Sequence, residues 1–554
     1  MNNLKNKRVF FRSLIGLLFA LAFTASGLLA GPSAPSSKAG STSPQSPGAV
    51  LQGDGTVVSH HAVTLANGRR ISYTARAGFL PLRRDDAGSN GELLGEMFFV
   101  AYTVDTPPRA PSRPLTFVWD GGPGGSASLS EEGPRRLNSS TSIFDDAPEK
   151  NTKTAPLPSQ VVENPDTWLD ITDLVLIDEM GTGYSRLAKP EYGKLFFSEQ
   201  ADAESFTEFI RIYLRRYDTR DAPIFLKGES YGSIRGVLVS AAAERRGIPI
   251  RGMTITALAL LDSVMRTDLG PAILFPAFTA AALYHKKLPA NLLVDRDKTL
   301  HEAESWASGP YTSALVRGNS LSPEDRRTVV QQYARYSGLS PEVIEKYNLR
   351  VATEEFANEL LRSEGKILGH YDSRISKVSP PIPFNPTTDP SLHLRGNAMP
   401  SLLERIYLAR ELGVNADLFG SKVDGTYLGP FGGAWPPTTS GAWPQSAIAT
   451  SEWMAVRWGD GNNESYPESV LEAFVKNMDT NRNLYVLFAG GRYDMVTPYS
   501  GMDYVSSHVK PDARDRVRVL ATESGHDVPN DQLHQAAREF YQEVLAKPVL
   551  PTGR

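Results

Sequence analysis

The chain has 554 residues, 41% of them apolar and 22% charged, and a formal charge of −4. That is the composition of a soluble globular protein too long for one ordinary core, so a large domain with an insertion, or two domains, is expected. The mild acidity gives no electrostatic reason to bind nucleic acid, and the absence of cysteine excludes structural disulfides, thiol catalysis and cysteine-ligated zinc.

The first 30 residues read as a secretory signal peptide. Lys5, Lys7, Arg8 and Arg12 precede an apolar run at 14–22, and small residues follow at Ala25, Ser26, Gly27 and Ala30. An uncleaved membrane anchor is the competing reading, since the apolar run extends to about 17 residues. Removal of this segment would leave a charge of about −8. No later stretch is long and apolar enough to span a bilayer, so the mature chain is expected to carry no membrane span. Residues 31–55 are rich in Pro, Ser and Gly and read as a disordered linker. Export without cysteine suits a bacterial periplasmic or secreted protein better than a eukaryotic extracellular one.

Between 56 and 105 the alternating stretches TVVSHHAVTL, RRISYTARAG and EMFFVAYTV predict an antiparallel start. Apolar runs at 115–119, 174–177, 224–226, 484–488 and 517–520 predict buried parallel strands, with amphipathic helices at 197–216 and 232–246 between them. Strands alternating with helices imply a mostly parallel sheet covered on both faces. Residues 270–475 differ in character. They hold helix starts at Ser322-Pro323-Glu324 and Ser340-Pro341-Glu342, a Pro-rich passage, and GAWP twice, at Trp435 and Trp443. The expected organisation is a core of 56–269 and 476–548 interrupted by a mainly helical cap, 270–475.

The chemistry concentrates at the ends of the predicted strands. Gly228-Glu229-Ser230-Tyr231-Gly232 has the pattern G-x-S-x-G at a strand-to-helix junction, the nucleophile elbow of the α/β-hydrolase fold. A serine hydroxyl needs a base, and that base needs an orienting acid, in the chain order Ser, Asp, His on this fold. The run NLYVLFA ends in GGRYD, placing Asp494 just past a strand, and RVRVLA is followed by ESGH, placing His526 past the next. Of nine histidines only His508, His526 and His534 follow Asp494, and the first and last fall in predicted helices. The triad is therefore Ser230, Asp494 and His526. The glycine-rich stretch after PLTFVW can offer bare amides to an oxyanion, with Gly122 and Tyr231 as the candidate donors. A phosphate-binding loop is rejected there, because no Lys-Ser/Thr partner and no dinucleotide spacing accompany it.

Five collinear segments resemble the serine carboxypeptidase family: WDGGPGGSA at 119–127, NPDTW at 164–168 with IDEMGTGYSR at 177–186, GESYG at 228–232, GGRYDMVTP at 490–498, and GHDVP at 525–529. GPRR at 133–136 and the N-terminal strands look more like its bacterial branch. The resemblance implies an α/β-hydrolase that removes C-terminal residues from peptides, with peptide as its partner and no cofactor or metal. It also implies that Glu229, protonated at acid pH, hydrogen-bonds the substrate's terminal carboxylate with help from an Asn before the two glycines. Here that position is Asp120. Two acids and an incoming carboxylate coexist only by sharing protons, so an acidic optimum is expected. The family's Cys after the second glycine pair is replaced by Gly125.

Other residues carry weaker signals. Trp119 and Trp168 read as packing residues, and Tyr184 as a pocket residue or a turn after a strand. Trp435 and Trp443 are candidates for lining an apolar pocket or for packing a loop. His60 and His61, adjacent on a strand, face opposite ways and make no metal site. Two other classes of function remain open: another α/β-hydrolase activity (aminopeptidase, esterase or acyltransferase) and a non-catalytic secreted binding protein on the same scaffold.

Overall fold

The computed structural model describes residues 49–84, 91–107, 110–138, 160–383, 389–391, 398–423 and 469–550. The signal-peptide segment, residues 31–48 of the linker, Trp435 and Trp443 lie outside these residues; the end of the predicted disordered linker, 49–55, is instead ordered, with a strand at Val50–Leu51 and a turn closed by the Gly55 amide on the Gln52 carbonyl.

The described residues open with a meander of β1 (Val50–Leu51), β2 (Val57–Thr64), β3 (Arg70–Arg83) and β4 (Leu93–Val104), each antiparallel to the one before. Then come β5 (Leu115–Trp119), the small antiparallel pair β6 (Arg135–Asn138) and β7 (Gln160–Glu163), β8 (Asp173–Ile177) and the short β9 (Arg186–Leu187). The sheet continues with β10 (Ile224–Glu229) and β11 (Ile250–Thr256). A separate hairpin of β12 (Lys366–Leu368) and β13 (Ser376–Val378) precedes β14 (Tyr485–Gly491) and β15 (Val517–Thr522). The eleven-stranded sheet runs β1-β2-β3-β4-β8-β5-β10-β11-β14-β15, with β9 also on β4. From β8 to β15 every neighbour is parallel.

The predicted parallel strands all form, and β5 occupies the predicted residues. A strand that the apolar-run criterion passes over, β11, stands between β10 and β14. Its residues IRGMTIT are all buried although they include a charge. Arg251 is accommodated because its guanidinium donates to Asn483 and to the carbonyls of Val544 and Lys547.

Both faces of the sheet are covered. One core holds Phe206 and Phe209 from the helix Glu199–Arg216, Val237 from Tyr231–Arg245, and Phe474 from Val470–Thr480. The other holds Tyr407 and Leu408 from Ala398–Arg410, with Phe540 and Tyr541 from Asn530–Ala546. A third core belongs to the helices that follow β11, from Leu269–Tyr284 to Thr353–Glu359, and centres on Phe275, Phe278, Tyr311, Tyr333 and Phe356. Ser322 and Ser340 cap two of these helices, accepting from the amides of Asp325 and Val343 with proline at the first helical position.

Strand order sets where a site can form. The chain leaves β5, places β8 on one side of it, then crosses to place β10 on the other. At such a reversal the connecting loops diverge and leave a crevice beyond the carboxyl ends of the strands. The segments 120–128, 178–184 and 229–231 all emerge there.

Candidate active site

Ser230 sits where β10 becomes a helix, at φ 54° and ψ −121°. A side chain adopts this left-handed backbone only under constraint, and two neighbouring glycines show the constraint. A Cβ on Gly228 would stand 2.2 Å from the Gly232 carbonyl oxygen and 2.6 Å from Trp119 Nε1; one on Gly232 would stand 2.8 Å from the Asp120 carbonyl oxygen. Trp119 is buried and donates from Nε1 to the Gly232 carbonyl at 2.9 Å, so its role is to pin the elbow.

The glycine-rich loop passes against this elbow. A Cβ on Gly121 would lie 2.5 Å from the Glu229 carbonyl oxygen and 2.8 Å from Ser230 Cβ, while Gly122 and Gly124 both have φ 112°. Two acids from the end of β8 hold the loop in place. Asp178 Oδ1 accepts from Ser126 Oγ (2.8 Å), the Ala127 amide (3.0 Å) and Ser128 Oγ (3.0 Å), and Oδ2 accepts from the Tyr184 amide. Glu179 accepts from the Gly124 amide and pairs with Arg235. Arg235 also reaches Asp202 Oδ2 at 2.7 Å and the Asp120 carbonyl at 2.9 Å. Burial pushes the Asp178 carboxyl up to about 6 against those hydrogen bonds. The buried Tyr184 ring packs edge-on against Phe98 at 5.3 Å.

His526 and Asp494 meet as expected. His526 Nδ1 and Asp494 Oδ2 are 2.7 Å apart, both residues being almost wholly buried. Asp494 Oδ1 accepts from the amides of Val496 (2.7 Å) and Thr497 (3.0 Å), and Oδ2 from the Thr497 hydroxyl. These donors orient the carboxylate so that it accepts from Nδ1–H, which leaves Nε2 as the basic nitrogen. The other two downstream histidines are committed elsewhere. His508 ends the helix Ser500–Ser507 and contacts the Tyr504 carbonyl, while His534 Nε2 lies 2.8 Å from Asp170. Backbone bonds tie the strand ends together, from the Ser230 amide to Thr256, Ala257 to Ala489, Arg492 to Thr522 and Tyr493 to Ser524.

The segment 370–373, in the loop that joins β12 to β13, also bears on the site, and no sequence motif pointed to it. The His526 amide donates to the Tyr371 carbonyl (2.7 Å), the Met495 amide to His370 (3.0 Å) and the Ser373 amide to Tyr493 (2.9 Å). The Tyr371 ring stands edge-on to the His526 imidazole at 5.0 Å.

Around Glu229 the structure collects charge. Glu229 Oε2 accepts from Thr256 Oγ1 (3.3 Å) and lies 3.7 Å from Lys227 Nζ, which in turn is 2.8 Å from Glu132. Asp120 begins the adjoining loop, with Oδ1 2.6 Å from the Gly121 amide. His60 faces Thr74 and His61 faces Ser59 and Tyr73, and among the described residues no group of acids and histidines could hold a metal ion.

A family model described as serine carboxypeptidase matches residues 72–248. That stretch contains three of the five resembling segments, and the two that carry Asp494 and His526 lie beyond it. The pheromone-processing carboxypeptidase KEX1 of Saccharomyces cerevisiae is 30% identical over 165 residues, 28% of this chain and 20% of that protein. The chain therefore matches about a fifth of the length of that relative. The crystal structure of KEX1ΔP, a prohormone-processing carboxypeptidase from the same yeast, superposes with a TM-score of 0.50 at 16% identity, covering 85% of this chain and 91% of that one. The fold is that of the α/β-hydrolases, with a mostly parallel sheet and helices on both faces. No helix among the described residues is long and apolar enough to cross a membrane.

Proposed function

We propose that the chain is an exported serine-type carboxypeptidase that works through an acyl-enzyme. The observation that carries this reading is the strained Ser230 elbow on the same carboxyl edge of the parallel strands as the 2.7 Å His526–Asp494 pair. In the proposed cycle His526 Nε2 takes the Ser230 proton as Oγ attacks the scissile carbonyl. The amides of Gly122 and Tyr231 receive the oxyanion, the Tyr231 amide being in a helical first turn where no intrahelical acceptor exists. The imidazolium then protonates the leaving amine, the C–N bond breaks, and water, deprotonated by His526, releases the acyl group. Asp494 holds the ring throughout.

Asp120 and Glu229 are the proposed site for the substrate's free carboxylate, with a proton shared among the three groups. An acidic optimum follows, and Asp120→Asn is expected to relax it. Helices from 270 onward, with the rest of 270–475, would act as the cap over a core of 56–269 and 476–548. Signal-peptide removal would deliver the protein to the periplasm or the medium, and the bacterial-branch assignment rests on residues 133–136 and the N-terminal strands.

The test is a mass-spectrometric time course on one peptide, free and C-terminally amidated, from about pH 4 to 8, beside Ser230→Ala. Stepwise loss from the free C-terminus, abolished by amidation and by the substitution, is the expected result. Trimming from the amino end would instead favour the aminopeptidase reading, for which the adjacent acids Asp120 and Glu229 would bind an ammonium. Labelling of Ser230 by a fluorophosphonate without peptide cleavage would point to another hydrolase substrate, and no labelling to a binding protein.

A further inference from the structure

We propose that the buried pair Lys227–Glu132, directly behind Glu229, sets the upper pH limit at which the site accepts a free C-terminal carboxylate. This rests on the carboxypeptidase reading and deepens it. β10 reads Ile-Phe-Leu-Lys-Gly-Glu, a lysine in an otherwise apolar buried run. Side chains alternate along a strand, so Phe225, Lys227 and Glu229 share a face. Phe225 stacks on Tyr541 at 4.0 Å and closes that face below the lysine. The Lys227 and Glu132 side chains are 7% and 1% exposed, against 22% for Glu229, so the pair is covered and Glu229 opens to the crevice.

A buried ion pair seldom adds stability over apolar residues of the same size, which leaves this one in need of another reason. The chain goes to some length to hold it. Asn164 Nδ2 donates to the carbonyls of Glu131 and Gly133, and the Thr167 hydroxyl and Trp168 amide both donate to the Glu132 carbonyl. The segment NPDTW thus fixes the backbone that aims Glu132 at Lys227. Burial opposes the ammonium, but Glu132, Glu229 and Asp120 outweigh it and hold Lys227 well above the usual lysine range.

The consequence for recognition has a definite sign. A free carboxylate is bound through a proton carried by Glu229 or Asp120. A permanent ammonium 3.7 Å from Glu229 favours the proton-free form and lowers the pH at which that proton is lost. Glu132, 2.8 Å from the same ammonium, partly cancels this field. The other charged groups near the cluster are Glu131, whose charge is felt by both Glu229 and Lys227; Arg136, beside Glu131; and Arg235, bonded to the Asp120 carbonyl. The Tyr541 phenol is engaged with Thr116, and Thr256 supplies a hydroxyl. None of these is altered in the variants below. Lys227 and Glu132 are positioning residues here, acting through Glu229.

The experiment measures kcat/KM against pH for wild type, Glu132→Gln and the double variant Lys227→Met/Glu132→Gln, on a free-acid peptide and on its methyl ester. The double variant replaces the ion pair with neutral groups of similar length and so guards against misfolding caused by one stranded charge. Glu132→Gln leaves the ammonium wholly to Glu229 and should move the upper limb on the free acid down by about one pH unit, a tenfold loss on that limb carried by KM. The double variant should move it upward from the Glu132→Gln position by at least as much. The ester profiles should keep their upper limb in every variant. Coincident free-acid limbs, or equal shifts on the ester, would overturn this inference while leaving a carboxypeptidase. A wild type that treats free acid and ester alike would overturn the carboxypeptidase reading, and this inference with it.

Discussion

Asp178 ties the glycine-rich loop to the end of β8, and its carboxyl makes the stability of that junction dependent on pH. A carboxyl held at about 6 instead of its ordinary 3.8 binds a proton more tightly in the folded chain than in the unfolded one. At about 1.4 kcal/mol per pH unit the difference comes to about 3 kcal/mol. Because the folded value is raised, the sign is opposite to that of a salt-bridged acid. The contribution is greatest below the unfolded value and disappears as pH rises through about 6. Asp178→Asn removes the titration while adding a constant cost, since an amide cannot accept from all four donors. Urea unfolding of both proteins at intervals from pH 4 to 7 should therefore show wild type losing stability relative to the variant by about 3 kcal/mol, most of it between pH 4 and 6. Parallel stability profiles for the two proteins would refute the reasoning.

Three further substitutions test the site. Ser230→Gly relieves a side chain at φ 54° and should raise stability by about 1 kcal/mol while abolishing hydrolysis, as read by the unfolding midpoint and a peptide assay. Asp494→Asn should lower kcat by about 10³–10⁴-fold with KM little changed, because the amide misorients His526 and favours the wrong tautomer. Gly491→Ala would put a Cβ 2.0 Å from the Gly525 carbonyl oxygen, and neither backbone can rotate away. A stability loss of about 3 kcal/mol or more is expected from thermal unfolding, with activity falling as the Asp494 and His526 loops separate.

Much of this was legible in the order of the residues, for identifiable reasons. β5, β8, β10 and β14 are almost wholly buried, so they stand out as short apolar runs bounded by turn residues, whereas β15, at the edge of the sheet, is half-exposed and shows a shorter run. The triad followed because each member sits within a few residues of the end of such a run. β11 was hidden because Arg251, Gly252, Thr254 and Thr256 break its run. Gly252 is needed there, since a Cβ would meet the Phe225 ring at 2.6 Å. The functions of Asp178, Glu179 and Lys227 were hidden for another reason. Each depends on partners 50 or more residues away, or on which face of a strand points at which loop, and local pattern does not encode that. The lysine inside the apolar run of β10 was the one available sign.

Asp494 has neighbours that belong to a different part of the protein. Tyr493 and Met495 are members of the core formed by the helices after β11, while the aspartate between them is hydrogen-bonded to His526. Three consecutive residues thus alternate between two packing units, and the acid's position is referenced to those helices as much as to the sheet. An engineer replacing those helices with a different set would have to transplant positions 493 and 495 along with them. The interchangeable module does not end where the helices end, but inside the loop that carries the acid.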